Sequence, residues 1–276
     1  MTPKPILEIN DLKVTDRLTA QPLIDDLSLS IYPHRVLAIV GESGSGKSLL
    51  AKAIMGLLPT SLQADGQIYF QQTALFQQTL KQWQAMRGKR ISLIVQNAMA
   101  AFDPLMTIGD QFAETLQCHF NLTAAQLKSR INKNLSQVNL LGVHNLVNSY
   151  PHQLSGGQLQ RVMIAIALAL EPDIIIADEP TTALDAITQY DVMQAFKALT
   201  QHHQTTLIFI THDLGLVKDI ADDIAVMKAG QIVELNDKAR LLSSPQQAYT
   251  KSLLASRQKL TKRFDQIMGK TDVIKC

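Results

Sequence analysis

Val36-Leu37-Ala38-Ile39-Val40-Gly41-Glu42-Ser43-Gly44-Ser45-Gly46-Lys47-Ser48-Leu49-Leu50-Ala51 is the stretch that decides the fold. Five consecutive apolar residues predict a parallel strand buried on both faces. A glycine-rich turn follows at once, and SLLAKAIMGLL then reads as a helix over 48–58. Gly41 to Ser48 fit G-x-x-x-x-G-K-[ST]. The glycines let the backbone aim successive amide N–H groups at phosphate oxygens, and the helix adds the positive end of its dipole. Lys47 is placed to reach the outer phosphates and Ser48 to ligate Mg²⁺. Gly41, Glu42, Ser43, Gly44, Ser45, Gly46, Lys47, Ser48 and Leu49 are therefore the candidate nucleotide-binding residues.

Outward from this loop the chain alternates strands and helices. Before it, LEINDLKV and LSLSIYP alternate apolar and polar residues, as half-buried strands do. After it, Asp65-Gly66 predicts a turn leading to a short strand GQIYF, and ISLIV (Ile91–Val95) predicts another buried strand. From 97 to 153 the texture is helical, with stretches such as DQFAETLQCHF and AAQLKSRINKNLSQVNLLG and no strand candidates. The α/β rhythm then returns: IIIA, a helix from about Ala186, TLIFI, another helix, and a hairpin-like pair IAVM and QIVEL around Ala229-Gly230. This order predicts an α/β fold with a mainly parallel sheet, an antiparallel β-subdomain at the N-terminus and an inserted helical subdomain over 97–153. One domain over 5–254 and a basic tail over 255–276 are expected.

Bulk properties exclude several classes. The 276 residues carry 18% charged residues and a net charge of only +2, so no general field attracts nucleic acid. The longest apolar run, Val162 to Leu170, has nine residues, against roughly 20 for a membrane span. The first ten residues, MTPKPILEIN, have no apolar core, so no secretion signal is expected. Cys118 and Cys276 lack metal-type spacing and read as free thiols of a reducing compartment. The last twenty residues carry six Lys or Arg against two Asp. That is the composition of a solvated helix, with contact to anionic lipid or a partner as the alternative.

Ile174-Ile175-Ile176-Ala177-Asp178-Glu179 is an apolar strand ending in two acids. Beside a phosphate loop, Asp178 is the candidate Mg²⁺ ligand and Glu179 the group that polarises the attacking water. In Leu154-Ser155-Gly156-Gly157-Gln158-Leu159-Gln160-Arg161 a serine and two glycines precede a helical run, making a second anion-binding helix N-terminus. One chain cannot easily aim two such ends at one γ-phosphate, so a second copy in trans is implied.

At this point the sequence resembles the nucleotide-binding subunits of ABC transporters, whose signature LSGGQ it matches letter for letter. The resemblance runs from about Leu7 to Leu254. It implies ATP and Mg²⁺ as ligands, and ATP hydrolysis in a head-to-tail dimer. In that dimer Ser155, Gly156, Gly157 and Gln158 of one subunit face ATP held by Gly41–Ser48 of the other. It also implies that Gln96 joins Mg²⁺ and the attacking water to the helical lobe, that Asp185 of Thr182-Ala183-Leu184-Asp185 communicates across the dimer, and that His212 sits beside the γ-phosphate. Glu179, His212 and Gln96 are thus the candidate catalytic residues, with Ser48, Gln96 and Asp178 toward Mg²⁺. One departure stands out: LKVTDRL has no aromatic residue, and Asp16 occupies the place where the family stacks one on adenine. Adenine is then held by aliphatic contacts or by a residue elsewhere.

The wording of QNAMAAFDPLMTIGDQ, YPHQLSGGQLQRVMIAIAL and SSPQQAYTKSLLAS is similar to the peptide/nickel importer branch. That implies a non-identical second ATPase subunit, two permeases and an extracytoplasmic solute-binding protein, with the chain peripheral at the cytoplasmic face of the inner membrane. RVLAIVGESGSGKS and IADDIAVMKAGQIVE resemble nickel-importer ATPases, and only Cys276 stands near the C-terminus, which favours nickel or a metal chelate over peptides. Non-transport ABC proteins usually carry two motor domains or long coiled-coil insertions, neither of which is visible here.

Overall fold

The computed structural model describes residues 4–182, 184–202 and 205–256. Two sheets carry the chain. The larger has six strands in the order β10-β9-β3-β8-β7-β6: β3 is Val36–Val40, β6 Ile91–Ile94, β7 Ile174–Asp178, β8 Thr206–Thr211, β9 Asp223–Lys228 and β10 Gln231–Asp237. Every pairing in it is parallel except β9 with β10. The smaller sheet is antiparallel, in the order β2-β1-β4-β5, from β1 Leu7–Asp16, β2 Pro22–Ile31, β4 Leu62–Phe70 and β5 Thr73–Ala74.

The continuous apolar runs of the larger sheet are explained by burial of both its faces. Ile174, Ile176, Ile208 and Ile210 turn toward the smaller sheet and helix α1 (Lys47–Ile54). Ile175, Ala177, Leu207 and Phe209 turn the other way, toward α5 (Gly156–Ala169) and α6 (Ala186–His202). Phe209 meets Phe196 of α6 edge to face, 5.3 Å between ring centroids. A third cluster, around Val40, Val226 and Leu241, lies under α7 (Leu214–Ile220) and α8 (Lys238–Ser243). The P-loop α/β architecture expected from sequence is the one observed. Among the described residues, none of the helices is long and apolar enough to cross a membrane.

Between β6 and α5 the chain forms α3 (Ile108–Gln117) and α4 (Ala124–Gln137) with short 3₁₀ turns and no strand. Thr107 and Thr123 cap these helices through their side chains, and Gln126 completes a capping box with Thr123. α2 (Leu80–Met86) precedes β6.

Two local expectations are corrected. Asp65-Gly66 is not a turn: Gly66 (φ +96) lies inside β4, opposite a bulge at Asp11 where the β1–β4 register slips. A Cβ on Gly66 would stand 2.4 Å from the Asp11 carbonyl oxygen. The left-handed tolerance that makes Asp-Gly a turn signal here serves a β-bulge instead. The helix read over 48–58 begins at Lys47 and ends at Ile54, because Gly56 takes φ +61. Arg87 closes that end by donating to the carbonyls of Met55 and Gly56.

Candidate active site

The phosphate loop leaves the C-terminal edge of β3 and enters α1. Gly44 (φ +80) and Gly46 (φ +103) hold conformations that L residues rarely adopt, and Gly46 stands at the helix N-cap without a side-chain cap. The first N–H groups of α1 therefore have no intrahelical acceptor. Lys47 is only 3% exposed and folds back over the loop. Its Nζ donates to Gly41 O at 2.9 Å, Glu42 O at 2.8 Å and Ser45 Oγ at 3.4 Å. Burial lowers its pKa from the ordinary range, opposed by Glu179 and Asp178.

The two acids close in from β7. Ser48 Oγ donates to Asp178 Oδ1 at 2.8 Å. Burial pushes the Asp178 carboxyl up; the Ser48 bond opposes that shift and neighbouring Glu179 adds to it. Glu179 takes φ +46, a strained value for a residue with a side chain. Its N–H still donates to Ile210 O at 2.9 Å, and Thr182 N–H donates to its carbonyl at 3.2 Å. Three groups converge on Oε2: Thr182 Oγ1 donates at 2.8 Å, Gln96 Nε2 donates at 3.4 Å, and His212 Nδ1 lies 3.4 Å away. The other oxygen, Oε1, is 4.0 Å from Lys47 Nζ. A cavity of about 370 Å³ opens over this cluster, walled by Ser43, Gly44, Gly46, Lys47, Ser48, Leu49, Gln96 and Glu179.

The fold thus gathers Lys47, Ser48, Glu179 and Gln96 around one opening, with Asp178 bonded to Ser48 and His212 beside Glu179. The signature residues stand apart from this site: Ser155, Gly156, Gly157 and Gln158 do not line the cavity. Ser155 caps α5, accepting Gln158 N–H, and Gln158 Oε1 accepts Ser155 N–H at 2.9 Å. Gly157 faces α6 so closely that a Cβ would stand 1.8 Å from Thr188 Cγ2. Asp185 is exposed and caps α6, accepting the N–H groups of Ile187 and Thr188 and the Thr188 hydroxyl. Ala183 of the same loop, and the tail from 257 with Cys276, lie outside the described residues. Cys118 is a free, exposed thiol.

Three residues escaped the sequence reading. Leu23, at the start of β2, supplies an aliphatic wall of the cavity, and its carbonyl approaches Gly46. Thr182 makes the shortest hydrogen bond to Glu179 among the three groups around Oε2. Gln160, 2% exposed on α5, reaches Val95 O at 3.5 Å, next to Gln96. Leu23 lies outside every motif, and Thr182 and Gln160 lie within the Thr182–Asp185 and signature stretches, which assign them no role. Asp16, in the stretch that lacks an aromatic, uses its carboxylate to accept the N–H groups of Leu18 and Thr19 and so closes the β1–β2 turn.

Comparison with known proteins agrees with this geometry. The family model described as ABC transporter matches residues 24–182. The metal-staphylopine import system ATP-binding protein CntD of Staphylococcus aureus is 41% identical, over 95% of this chain and 97% of its own. The oligopeptide transport ATP-binding protein OppD of Lactococcus lactis subsp. cremoris is 45% identical, over 91% of this chain and 75% of its own. Among solved structures, the dimeric post-hydrolysis state of the ATP-binding cassette MJ0796 bound to ADP and Pi superposes with a TM-score of 0.74 at 27% identity, covering 84% of this chain and 98% of that one. With a phosphate loop, two acids and a signature helix set out as above, and with relatives matched along nearly its whole length, this chain belongs to the ABC transporter family as an ATP-hydrolysing subunit.

Proposed function

We propose that the chain drives uptake of nickel or a metal–chelate complex as the ATPase subunit of an ABC importer, docked on separate permease chains. The meeting of Lys47, Ser48, Gln96 and Glu179 on one cavity, with Asp178 bonded to Ser48 and His212 beside Glu179, supports the hydrolytic half of this reading. The substrate half rests on the near-complete mutual coverage with the metal-staphylopine importer subunit, against 75% of the longer oligopeptide subunit. A peptide importer is the second reading, favoured by the 45% identity of that same oligopeptide subunit. Nickel and dipeptide uptake by cells lacking this chain tests both: loss of nickel uptake alone supports the first, and loss of peptide uptake alone overturns it.

ATP docks with its phosphates on the loop Gly41–Ser48, with Leu49 in the wall beside them. Lys47, freed from the loop carbonyls, turns its charge to the outer phosphates. Ser48 and Asp178 present hard oxygen donors 2.8 Å apart, and a buried carboxylate held high gains from a cation; this donor set fits Mg²⁺ with Gln96 nearby. A cation bound there neutralises charge on the phosphate oxygens. Glu179, with Oε2 steadied by Thr182, polarises the attacking water as general base or orienter, and His212 and Gln96 border the same oxygen.

The signature end, Ser155 to Gln158, with Ser155 and Gly156 exposed, completes the site of a second ATPase subunit, a non-identical paralogue set head to tail. Asp185 lies at that interface. The helical lobe at 97–153 is the permease-docking part of the 5–254 ATPase domain: Met99 and Leu105 are 47% and 84% exposed just beyond Gln96. The subunit works peripherally at the cytoplasmic face of the inner membrane, and a solute-binding protein delivers cargo from outside.

A further inference from the structure

The phosphate loop also has an outer side, to which neither the motifs nor the mechanism assigns a residue. Gly230, in the β9–β10 turn, donates its N–H to Ser45 O at 3.0 Å. Met227 O lies so near Gly41 that a Cβ there would stand 2.1 Å from it. From the helix at 248–256, Tyr249 presents its hydroxyl to the loop, and the backbone N–H of Glu42 donates to it at 3.2 Å. Lys228 Nζ sits over the Tyr249 ring, 4.8 Å from the centroid.

The helix that carries Tyr249 is firmly seated. The Glu234 carboxylate on β10 accepts the N–H groups of Gln246 and Gln247, at 2.8 and 3.1 Å, just before the helix begins. Thr250 is fully buried, and Leu253 and Leu254 join Tyr249 against the cluster around Val40, Val226 and Leu241. A ring held this way cannot drift from the loop without unseating the helix.

The Glu42 peptide is the point where the two sides meet. Its carbonyl accepts Lys47 Nζ at 2.8 Å and Ser45 N–H at 3.2 Å, while its N–H is taken by Tyr249. We infer that Tyr249 is a positioning residue of the nucleotide site: its hydroxyl fixes the Glu42 peptide and, through that peptide's carbonyl, the curve of the loop and the resting place of Lys47. The inference rests on the loop being the ATP site.

Full-length Tyr249→Phe keeps the ring, its packing and its contact with Lys228, and loses only the hydroxyl. Its melting midpoint without nucleotide should match wild type. Its Kd and KM for ATP should rise about two- to fivefold, the worth of one neutral hydrogen bond whose donor water can partly satisfy. Its kcat at saturating ATP should stay near wild type. Tyr249→Ala, which also removes the ring packed against the cluster around Val40 and Leu241, should lower the midpoint as well. Wild-type ATP affinity in Tyr249→Phe overturns the inference. So does an affinity loss that vanishes on cooling together with a lowered midpoint, because that pattern belongs to packing alone. Lys47→Ala serves as control. If it loses ATP binding while Tyr249→Phe does not, only the role of Tyr249 fails. If both bind as wild type does, the phosphate-loop reading fails with it.

Discussion

Two helices of this chain begin at a glycine-rich turn, and they are finished in opposite ways. α1 has no side-chain cap, and Ser48, Asp178 and Glu179 crowd beside its open end. α5 closes its own end, with Ser155 and Gln158 each accepting the other's backbone N–H. An uncapped helix start keeps N–H donors for a ligand, whereas a capped one has already satisfied some of them. The difference separates a helix start built into the chain's own phosphate cavity from one that stands apart from that cavity. Ser155 and Gly156 are exposed, which suits the proposed contact with ATP held by a second subunit.

The comparison breaks most visibly if the α1 end proves dispensable for chemistry. Glu179→Gln should lower phosphate release by about 10²–10³ while leaving ATP titrations close to wild type, because the amide keeps the hydrogen bonds of Oε2 and loses the charge that polarises water. Unchanged turnover would remove Glu179 from its role.

Asp178→Asn probes the same end from the side of stability. Burial raises the Asp178 pKa in the folded state. Its contribution to folding is therefore present in full below the unfolded pKa and is lost as pH rises through the folded value. At neutral pH the nucleotide-free Asn variant should melt a few degrees above wild type, with the gain vanishing in strongly acidic buffer. Hydrolysis with Mg²⁺ should nonetheless fall about a hundredfold. A lower midpoint at neutral pH would mean that the Ser48 bond and the nearby Lys47 charge outweigh the burial cost.

How much of this was legible depends on how local each signal is. Val36 to Ser48 announces strand, loop and helix because apolar run, glycines and lysine are contiguous, and the fold obeys that order. Asp178 and Glu179 were legible because a strand end fixes where they point. Gly66 was misread because Asp-Gly serves a bulge as readily as a turn, and only the partner strand β1 distinguishes them. Leu23 and Tyr249 reach the loop from 18 residues before it and some 200 after it. An aliphatic residue and a tyrosine at such distances carry no pattern that a single sequence exposes. Thr182 could be read as part of a loop but not as the partner of Glu179, which required the left-handed turn at that acid.

Ser155→Ala tests the capped end. It removes the side chain that accepts Gln158 N–H, which costs about 1 kcal/mol of folding free energy. ATP affinity of the isolated chain should not change, since Ser155 does not line the cavity. Hydrolysis by the assembled pair should fall about tenfold, in the site that borrows this serine. If the isolated chain lost affinity as steeply, the division between the two helix ends would be wrong.

The smallest effect sharpens the part of the α1 site that no motif describes. Leu23 is the cavity wall contributed by the smaller sheet, and its carbonyl and the Ile24 backbone also pack against Gly230. Asp16 is committed to its turn, and Leu23 and Leu49 supply the apolar side of the opening. Truncating Leu23 to Ala removes a few partly covered carbons, worth about 0.5–1 kcal/mol of contact. Kd should rise about threefold, by the same factor for ATP and ADP, because the lost contact does not involve the γ-phosphate. Tyr249→Phe loosens the loop beside Lys47 and should instead weaken ATP more than ADP. Equal losses for both nucleotides in Leu23→Ala, beside unequal ones in Tyr249→Phe, would place the two unmarked residues on opposite ends of the nucleotide.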